Sequence, residues 1–215
     1  MDEKTRWDGV TVVEHPLLAH LLTRVRDRET PSAVFRQLIA AMGRFLCYEA
    51  MRGMRVEAVE IETPLETFKG SRLAEPVTLV PILRAGLGLA DRLLGMVPGA
   101  AMGHIGMFRD EAKLEPVSYY EKLPAQATRG PVLVLDPMLA TGGSAVAAVD
   151  LLKKRGCSQI TFVCVLASPE GVSVMREKHG DVPIVTAAVD RELDERGYIL
   201  PGLGDAGDRV FGTGE

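Results

Sequence analysis

Short unbroken apolar runs alternate along this chain with stretches whose apolar positions recur every three or four residues. That alternation predicts strands and helices in turn. VTVVE at 10–14 predicts a short strand ended by His15-Pro16, and LLAHLLTRV at 17–25 a helix. Thr30-Pro31 supplies an N-cap hydroxyl and a proline at the first helical position. The helix beyond it places Val34, Phe35, Leu38, Ile39, Met42, Phe45 and Leu46 on one broad face, for the core or a subunit contact. VEAVEIETPLE predicts a strand exposing Glu57 and Glu60, VTLVPIL at 77–83 a buried one, and TFKGSRLAE between them a turn. A helix from about Leu89 to Met96 follows. GHIGMF and VSYYEKLP predict a hairpin whose charged, turn-rich connection RDEAKLEP is a mobile tip. After a central unit treated below, ITFVCVLAS, PEGVSVMREKHG and VPIVTAAVD predict strand, helix and strand. With no repeat or break in composition, the expectation is one α/β domain spanning 1–215, its central sheet mostly parallel and flanked by helices.

The central unit is PVLVLDPMLATGGSAVAAVDLLKKRG, residues 131–156. Val132 to Leu135 predicts a strand buried on both faces. Asp136 ends it, a loop carries Thr141, Gly142, Gly143 and Ser144, and an alanine-rich helix runs on to Gly156. Adjacent glycines allow close backbone approach, and a helix start offers unpaired N–H groups and the positive end of its dipole to a phosphate. A strand-end carboxylate beside a phosphate cradle suits a sugar phosphate. No G-x-x-x-x-G-K-[ST] is present and no G-x-G-x-x-G follows this strand, which excludes the common nucleotide loops. The strand at 77–83 repeats the design in Arg84-Ala85-Gly86-Leu87-Gly88, with a guanidinium in place of the carboxylate. Such a group grips two phosphate oxygens at once. Both strand ends fall where open parallel sheets bind ligands. Arg109, at the base of the hairpin, is placed to close over a negatively charged leaving group; Lys113 and Lys122 are assigned to solvated surface.

Composition narrows the class. Of 215 residues, 47% are hydrophobic and 25% charged, and the net charge of −4 leaves no basic footprint for nucleic acid. No apolar run approaches the roughly 20 residues needed to span a bilayer, and MDEKTRWDG has no signal-peptide core. Cys47, Cys157 and Cys164 show no metal-ligand spacing, and His15 and His20 have no partner cluster, so reduced thiols in a cytoplasmic chain without its own metal site are expected.

The tail at 197–212, GYILPGLGDAGDRVFG, holds six glycines or prolines, which exclude a long helix or central strand. Tyr198, Ile199, Leu200, Leu203, Val210 and Phe211 are too apolar for a solvated coil, so an ordered loop is expected. Such a loop can turn backbone N–H and C=O groups to the edge of a flat heterocycle. A base with an amine in place of a carbonyl would leave groups unpaired, at about 1–3 kcal/mol each.

VLVLDPMLATGGS resembles the phosphoribosyl-pyrophosphate (PRPP) loop of the type I phosphoribosyltransferases. PILRAGLG, GHIGMFRDE and GYILPGLGDAGDR add a resemblance to the uracil phosphoribosyltransferase family over roughly 10–212. The resemblance implies the type I fold with a mobile β-hairpin flap and a C-terminal base-binding hood. It also implies transfer of phosphoribosyl from PRPP to uracil, giving UMP and pyrophosphate in pyrimidine salvage, with Mg²⁺ held mainly by PRPP and water. Arg84 and Arg109 would contact pyrophosphate and Asp136 the ribose hydroxyls. Pro137, Met138 and Leu139 would lead into Ala140, Thr141, Gly142, Gly143 and Ser144, which wrap the 5′-phosphate. Ile199, Gly204, Asp205 and Ala206 would read uracil, with Asp205 near PRPP and able to orient or accept the N1 proton. Asp136-Pro137 stands where the wider type I family has two adjacent acidic residues, a substitution the uracil branch shares. The apolar helices at 16–52 predict a homodimer or homotetramer, and the resemblance leaves activation by GTP open, as in some relatives. Two alternatives stay open on the sequence: a PRPP-sensing regulator of pyrimidine genes on the same fold, which would want a basic RNA-facing patch, and a transferase acting on a purine.

Overall fold

A computed structural model describes residues 8–109 and 116–214, with the backbone alone at Phe108, Arg109 and Pro116. The chain begins with β1 (Val10–Val12), α1 (Pro16–Arg26) and α2 (Ser32–Ala50), then a hairpin of β2 (Val56–Glu62) and β3 (Thr67–Leu73). β4 (Thr78–Leu83) leads into short helices α3 (Gly86–Ala90) and α4 (Leu93–Met96), and β5 (Ala101–Met102) precedes β6 (His104–Arg109) and β7 (Pro116–Lys122). Next come β8 (Val132–Leu135), β9 (Met138–Leu139), α5 (Gly143–Lys154), β10 (Ile160–Ala167), α6 (Pro169–Lys178) and β11 (Ile184–Val189). β12 (Glu192–Leu193) then leads into the tail, which forms β13 (Ile199–Leu200) and α7 (Ala206–Phe211).

The main sheet runs β1-β11-β10-β8-β4-β6-β7, with β5 added to β4 and β9 to β10. Its ladders are parallel except β6 with β7. Alternation along the buried strands divides the core between two faces. Leu133, Leu135, Val163 and Val165 face α1, α2, α3 and α7, packing with Phe35, Ile39, Met42, Leu89 and Val210. Val132, Val134, Phe162 and Cys164 face α5 and α6, packing with Ala148, Leu152 and Met175. This layered α/β arrangement is the expected fold class.

Several local expectations give way. Thr30 does not cap α2: Pro31 holds the cap position without a side-chain bond, and the Thr30 hydroxyl instead donates to the Arg24 carbonyl at 2.7 Å. TFKGSRLAE is not a turn, because Thr67–Leu73 pairs with Val56–Glu62 as an antiparallel arm separate from the main sheet. The helix expected from Leu89 to Met96 starts earlier and breaks at Arg92, whose φ of 64° is left-handed. His15 is a cap: its Nδ1 accepts from the Leu17 N–H at 3.1 Å. The six glycines and prolines of the tail leave room for α7, which the sequence does not announce. β6 and β7 pair as a hairpin, while its tip, with Asp110, Glu111 and Lys113, lies outside the described residues.

Gly43 lets α2 touch the backbone of α3. A Cβ there would stand 2.5 Å from the Leu89 carbonyl oxygen, an atom that cannot swing aside. Gly43→Ala gains about 1 kcal/mol of helix propensity but is expected to lower net stability by about 1–2 kcal/mol. A fall in the urea midpoint at unchanged m-value is the expected reading; an unchanged or higher midpoint contradicts this packing.

Candidate active site

β4 and β8 lie side by side, with Pro81 opposite Leu135, so both chains leave the sheet at the same edge. Arg84 follows one strand and Asp136 the other. Gly86 draws the two exits together, because a Cβ on it would collide with the Leu135 carbonyl oxygen. Arg84 is exposed and lies 3.9 Å from Asp208, a loose contact that leaves the guanidinium available. Asp136 is half-buried, and its Oδ1 accepts from the Met138 N–H at 3.3 Å. Burial pushes its carboxyl up to about 7, and the Met138 N–H offsets only part of that. A carboxyl so poised can accept from a sugar hydroxyl as a carboxylate or donate as the acid.

A loop at 140–142 links β9 to α5. Gly142 holds the N-cap of α5 at φ 83° with no capping side chain, so the first-turn N–H groups meet no side-chain acceptor there. Thr141 and Ser144 are exposed beside them. Ser168, fully buried at the N-terminus of α6, fixes the near side of the loop. Its hydroxyl donates to the Ala140 carbonyl at 2.6 Å and accepts from the Gly171 N–H at 2.8 Å. Close packing completes the join, since a Cβ on Gly171 would strike the Ala140 carbonyl. Ser168 went unnoticed in the sequence, although serine-proline after a buried strand is a helix-start signal that marks it.

The tail is ordered and packed: Ile199, Leu203, Ala206 and Val210 are buried. It meets both loops. A Cβ on Gly197 would lie 3.3 Å from the Thr141 side chain, and one on Gly207 would lie 3.9 Å from the Ala85 Cβ. Asp205 caps α7, its Oδ1 accepting from the Asp208 N–H at 2.8 Å, and Gly204 precedes it at φ 78°. The structure therefore gathers Arg84, Asp136, Ala140 to Ser144 and Gly204 to Ala206 at one sheet edge. The backbone of Arg109 ends β6, the strand beside β4; its side chain lies outside the described residues.

The sequence model for the family described as uracil phosphoribosyltransferase matches residues 12–213. The chain belongs to that family. A uracil phosphoribosyltransferase of Salinibacter ruber is 53% identical over 208 residues, 97% of this chain and 99% of that one. One from Lactiplantibacillus plantarum is 50% identical over 203 residues, covering 94% and 97%. Among solved structures, the AQ2163 protein of Aquifex aeolicus superposes with a TM-score of 0.89 at 36% identity, covering 94% of this chain and 97% of that one. Adenine phosphoribosyl transferase from Trypanosoma brucei shares the fold, with a TM-score of 0.58 at 12% identity over 92% and 88% of the two chains. The family expectation thus holds, and with it the type I phosphoribosyltransferase fold.

Asp136 carries a stability cost that depends on pH. Its folded pKa lies above the roughly 3.9 of an unfolded aspartate, so the native state loses stability as pH rises from about 4 to 7 and carries the full cost above 7. Asp136→Asn keeps an acceptor for the Met138 N–H and removes the charge. The variant is expected to melt higher than the parent at pH 8, with the difference closing toward pH 4. A difference that does not change with pH contradicts the raised carboxyl.

Proposed function

We propose that the chain transfers the 5-phosphoribosyl group of PRPP to N1 of uracil, releasing pyrophosphate and leaving UMP. The observation that carries this reading is the meeting of three differently equipped loops at one sheet edge: an exposed arginine, a strand-end carboxyl with an open helix start, and an ordered backbone-rich tail. We further propose that the whole chain works as one catalytic unit.

In this reading Arg84 and Arg109 grip the pyrophosphate, where charge accumulates as its bond to C1′ breaks. Asp136 holds the ribose hydroxyls. Pro137 to Leu139 lead into the loop, and the backbone from Ala140 to Ser144, with the Thr141 and Ser144 hydroxyls, binds the 5′-phosphate. Ile199 and Gly204 to Ala206 present main-chain groups to the imide edge of uracil. Asp205 accepts from the Asp208 N–H with Oδ1, and its second carboxylate oxygen would orient or accept the N1 proton. Alignment of base and C1′ then does much of the work, because an oxocarbenium-like transition state needs little covalent help.

Among the described residues no group of three or more His, Cys, Asp and Glu side chains gathers to hold a metal. One carboxyl raised toward neutrality is a poor sole ligand for a divalent cation, so Mg²⁺ would arrive on PRPP, held by phosphate oxygens and water, and supply countercharge at the pyrophosphate.

A homo-oligomer, dimer or tetramer, is the assembly proposed. The arm β2–β3 leaves Val56, Ile61, Leu65, Phe68 and Leu73 exposed, as are Phe45 and Tyr48 on α2, more apolar surface than a lone subunit comfortably shows to water. No described helix is long and apolar enough to cross a membrane. The cytoplasm is the proposed compartment, consistent with three free, buried cysteines.

Radiolabelled uracil, cytosine, hypoxanthine and adenine, each with PRPP and Mg²⁺, test the reaction and the base together. UMP from uracil alone is expected; product from another base overturns the assignment of the tail, and PRPP binding without product points to a regulator. Adding GTP to the uracil assay tests activation. Arg109→Ala is expected to lower turnover about 100-fold or more with a smaller effect on uracil binding; equal losses in both would contradict its place at the leaving group.

A further inference from the structure

The base-reading tail hangs from the C-terminal end of α1. Arg26, in the last turn of that helix, meets Asp190 in a two-pronged pair, Nη1 to Oδ2 at 2.7 Å and Nη2 to Oδ1 at 2.6 Å. Nη1 also donates to the Gly202 carbonyl at 2.9 Å, and the Gly202 N–H donates to Asp190 Oδ2 at 2.9 Å. Guanidinium, carboxylate and both polar backbone groups of Gly202 thus close one ring of hydrogen bonds. The Asp190 side chain is 5% exposed and that of Arg26 25%, so water competes poorly for these bonds. Gly202 sits at φ 60°, and a Cβ there would run into the Ile199 carbonyl, so the turn admits little but glycine.

A second arginine holds the next stretch. Arg209 donates from Nη1 to the Val25 and Leu203 carbonyls, both at 2.7 Å, and from Nη2 to the Asp27 carbonyl at 2.6 Å. Its guanidinium lies 4.2 Å from the centre of the Phe35 ring. Gly202 and Leu203, which lie between Ile199 and Gly204, are therefore tied to residues 25–27. Asp190 follows β11, whose end is fixed in the sheet: its N–H donates to the Ala167 carbonyl at 2.8 Å. The ring thus transmits the position of the sheet edge to the tail.

We propose that Arg26 and Asp190 are positioning residues for base recognition, setting where the backbone between Ile199 and Gly204 stands relative to the PRPP loops. This rests on the functional reading above. Neither side chain is assigned contact with substrate. A partly buried ion pair contributes little net stability compared with an apolar replacement; its best-attested use is to fix one register among several. Backbone recognition demands such fixing, because a main-chain donor displaced by an ångström cannot be rescued by another rotamer.

The test measures KM for uracil and for PRPP separately in the parent, Arg26→Gln, Arg26→Lys and Asp190→Asn, with urea unfolding of each. Arg26→Gln is expected to raise the KM for uracil about tenfold or more while that for PRPP stays within about twofold. Arg26→Lys, which keeps the charge without the planar fork, should recover part of the loss. If Arg26→Gln does not fold, Arg26→Lys and Asp190→Asn carry the same comparison, each raising the uracil KM selectively. An unchanged uracil KM in a folded variant overturns the proposal, as does a parallel rise in both constants, the mark of a merely structural pair. A parent that makes no UMP would instead sink the functional reading and is seen before any variant is made.

Discussion

Parallel pairing of β8 between β4 and β10 is the constraint on which the rest depends. β8 is four residues long and wholly buried, so its backbone must pair on both sides and its side chains must find apolar partners above and below. Those demands are met with Val132 opposite Thr78 on one side and Ile160 on the other. A slip by one residue would exchange the side chains meant for the two faces. Once that register holds, Arg84 and Asp136 emerge at neighbouring strand ends. The geometry of the candidate site is inherited from sheet geometry.

The loops leaving that edge offer different physical means of binding. The loop after β8 is supplied with helix-start N–H groups and hydroxyls and lacks any lysine or arginine from Pro137 to Ser144. The loop after β4 brings a guanidinium. This division suits a substrate whose 5′-phosphate stays while its pyrophosphate must be released. On the proposed reading, fixed dipoles would hold the retained group and the exposed Arg84 side chain would meet the departing one. It also explains how a chain with a net charge of −4 can bind a polyanion, since the attraction is local and the overall field is not enlisted.

Much of this was legible in the sequence because it is local. VLVLDPMLATGGS specifies strand, exit, loop and helix within a few residues, and RAGLG repeats the grammar. Ser168 apart, whose serine-proline signal is local, the features the sequence does not announce lack a local signature. Thr67–Leu73 is exposed on nearly every residue, so no buried face imposed an alternation that would mark it as a strand. Thr30 looked like a cap but found a carbonyl in the preceding helix, an outcome set by the path of the chain between the two helices. Arg26 and Asp190 are 164 positions apart, and nothing near either residue announces the other. Asp205 is named for a ligand role by the tail motif, whereas its work as the cap of α7 belongs to a six-residue helix hidden among glycines.

Recognition by backbone has a structural consequence that side-chain recognition does not. A side chain can be re-aimed by a rotamer change, whereas main-chain groups move only with their segment, so a tail that reads a base through its backbone must be held from outside. The tail has little secondary structure with which to hold itself: two residues in β13 and one short helix. Its anchors are accordingly long-range: Arg26 with Asp190, Arg209 on the carbonyls at the end of α1, and Arg36 donating to the Val210 carbonyl at 2.9 Å. The N-terminal helices therefore do more than fill one face of the core. They form the frame against which the last part of the chain is set, so the two ends of the sequence together determine where the tail stands relative to the loop at 140–144, encoded midway between them.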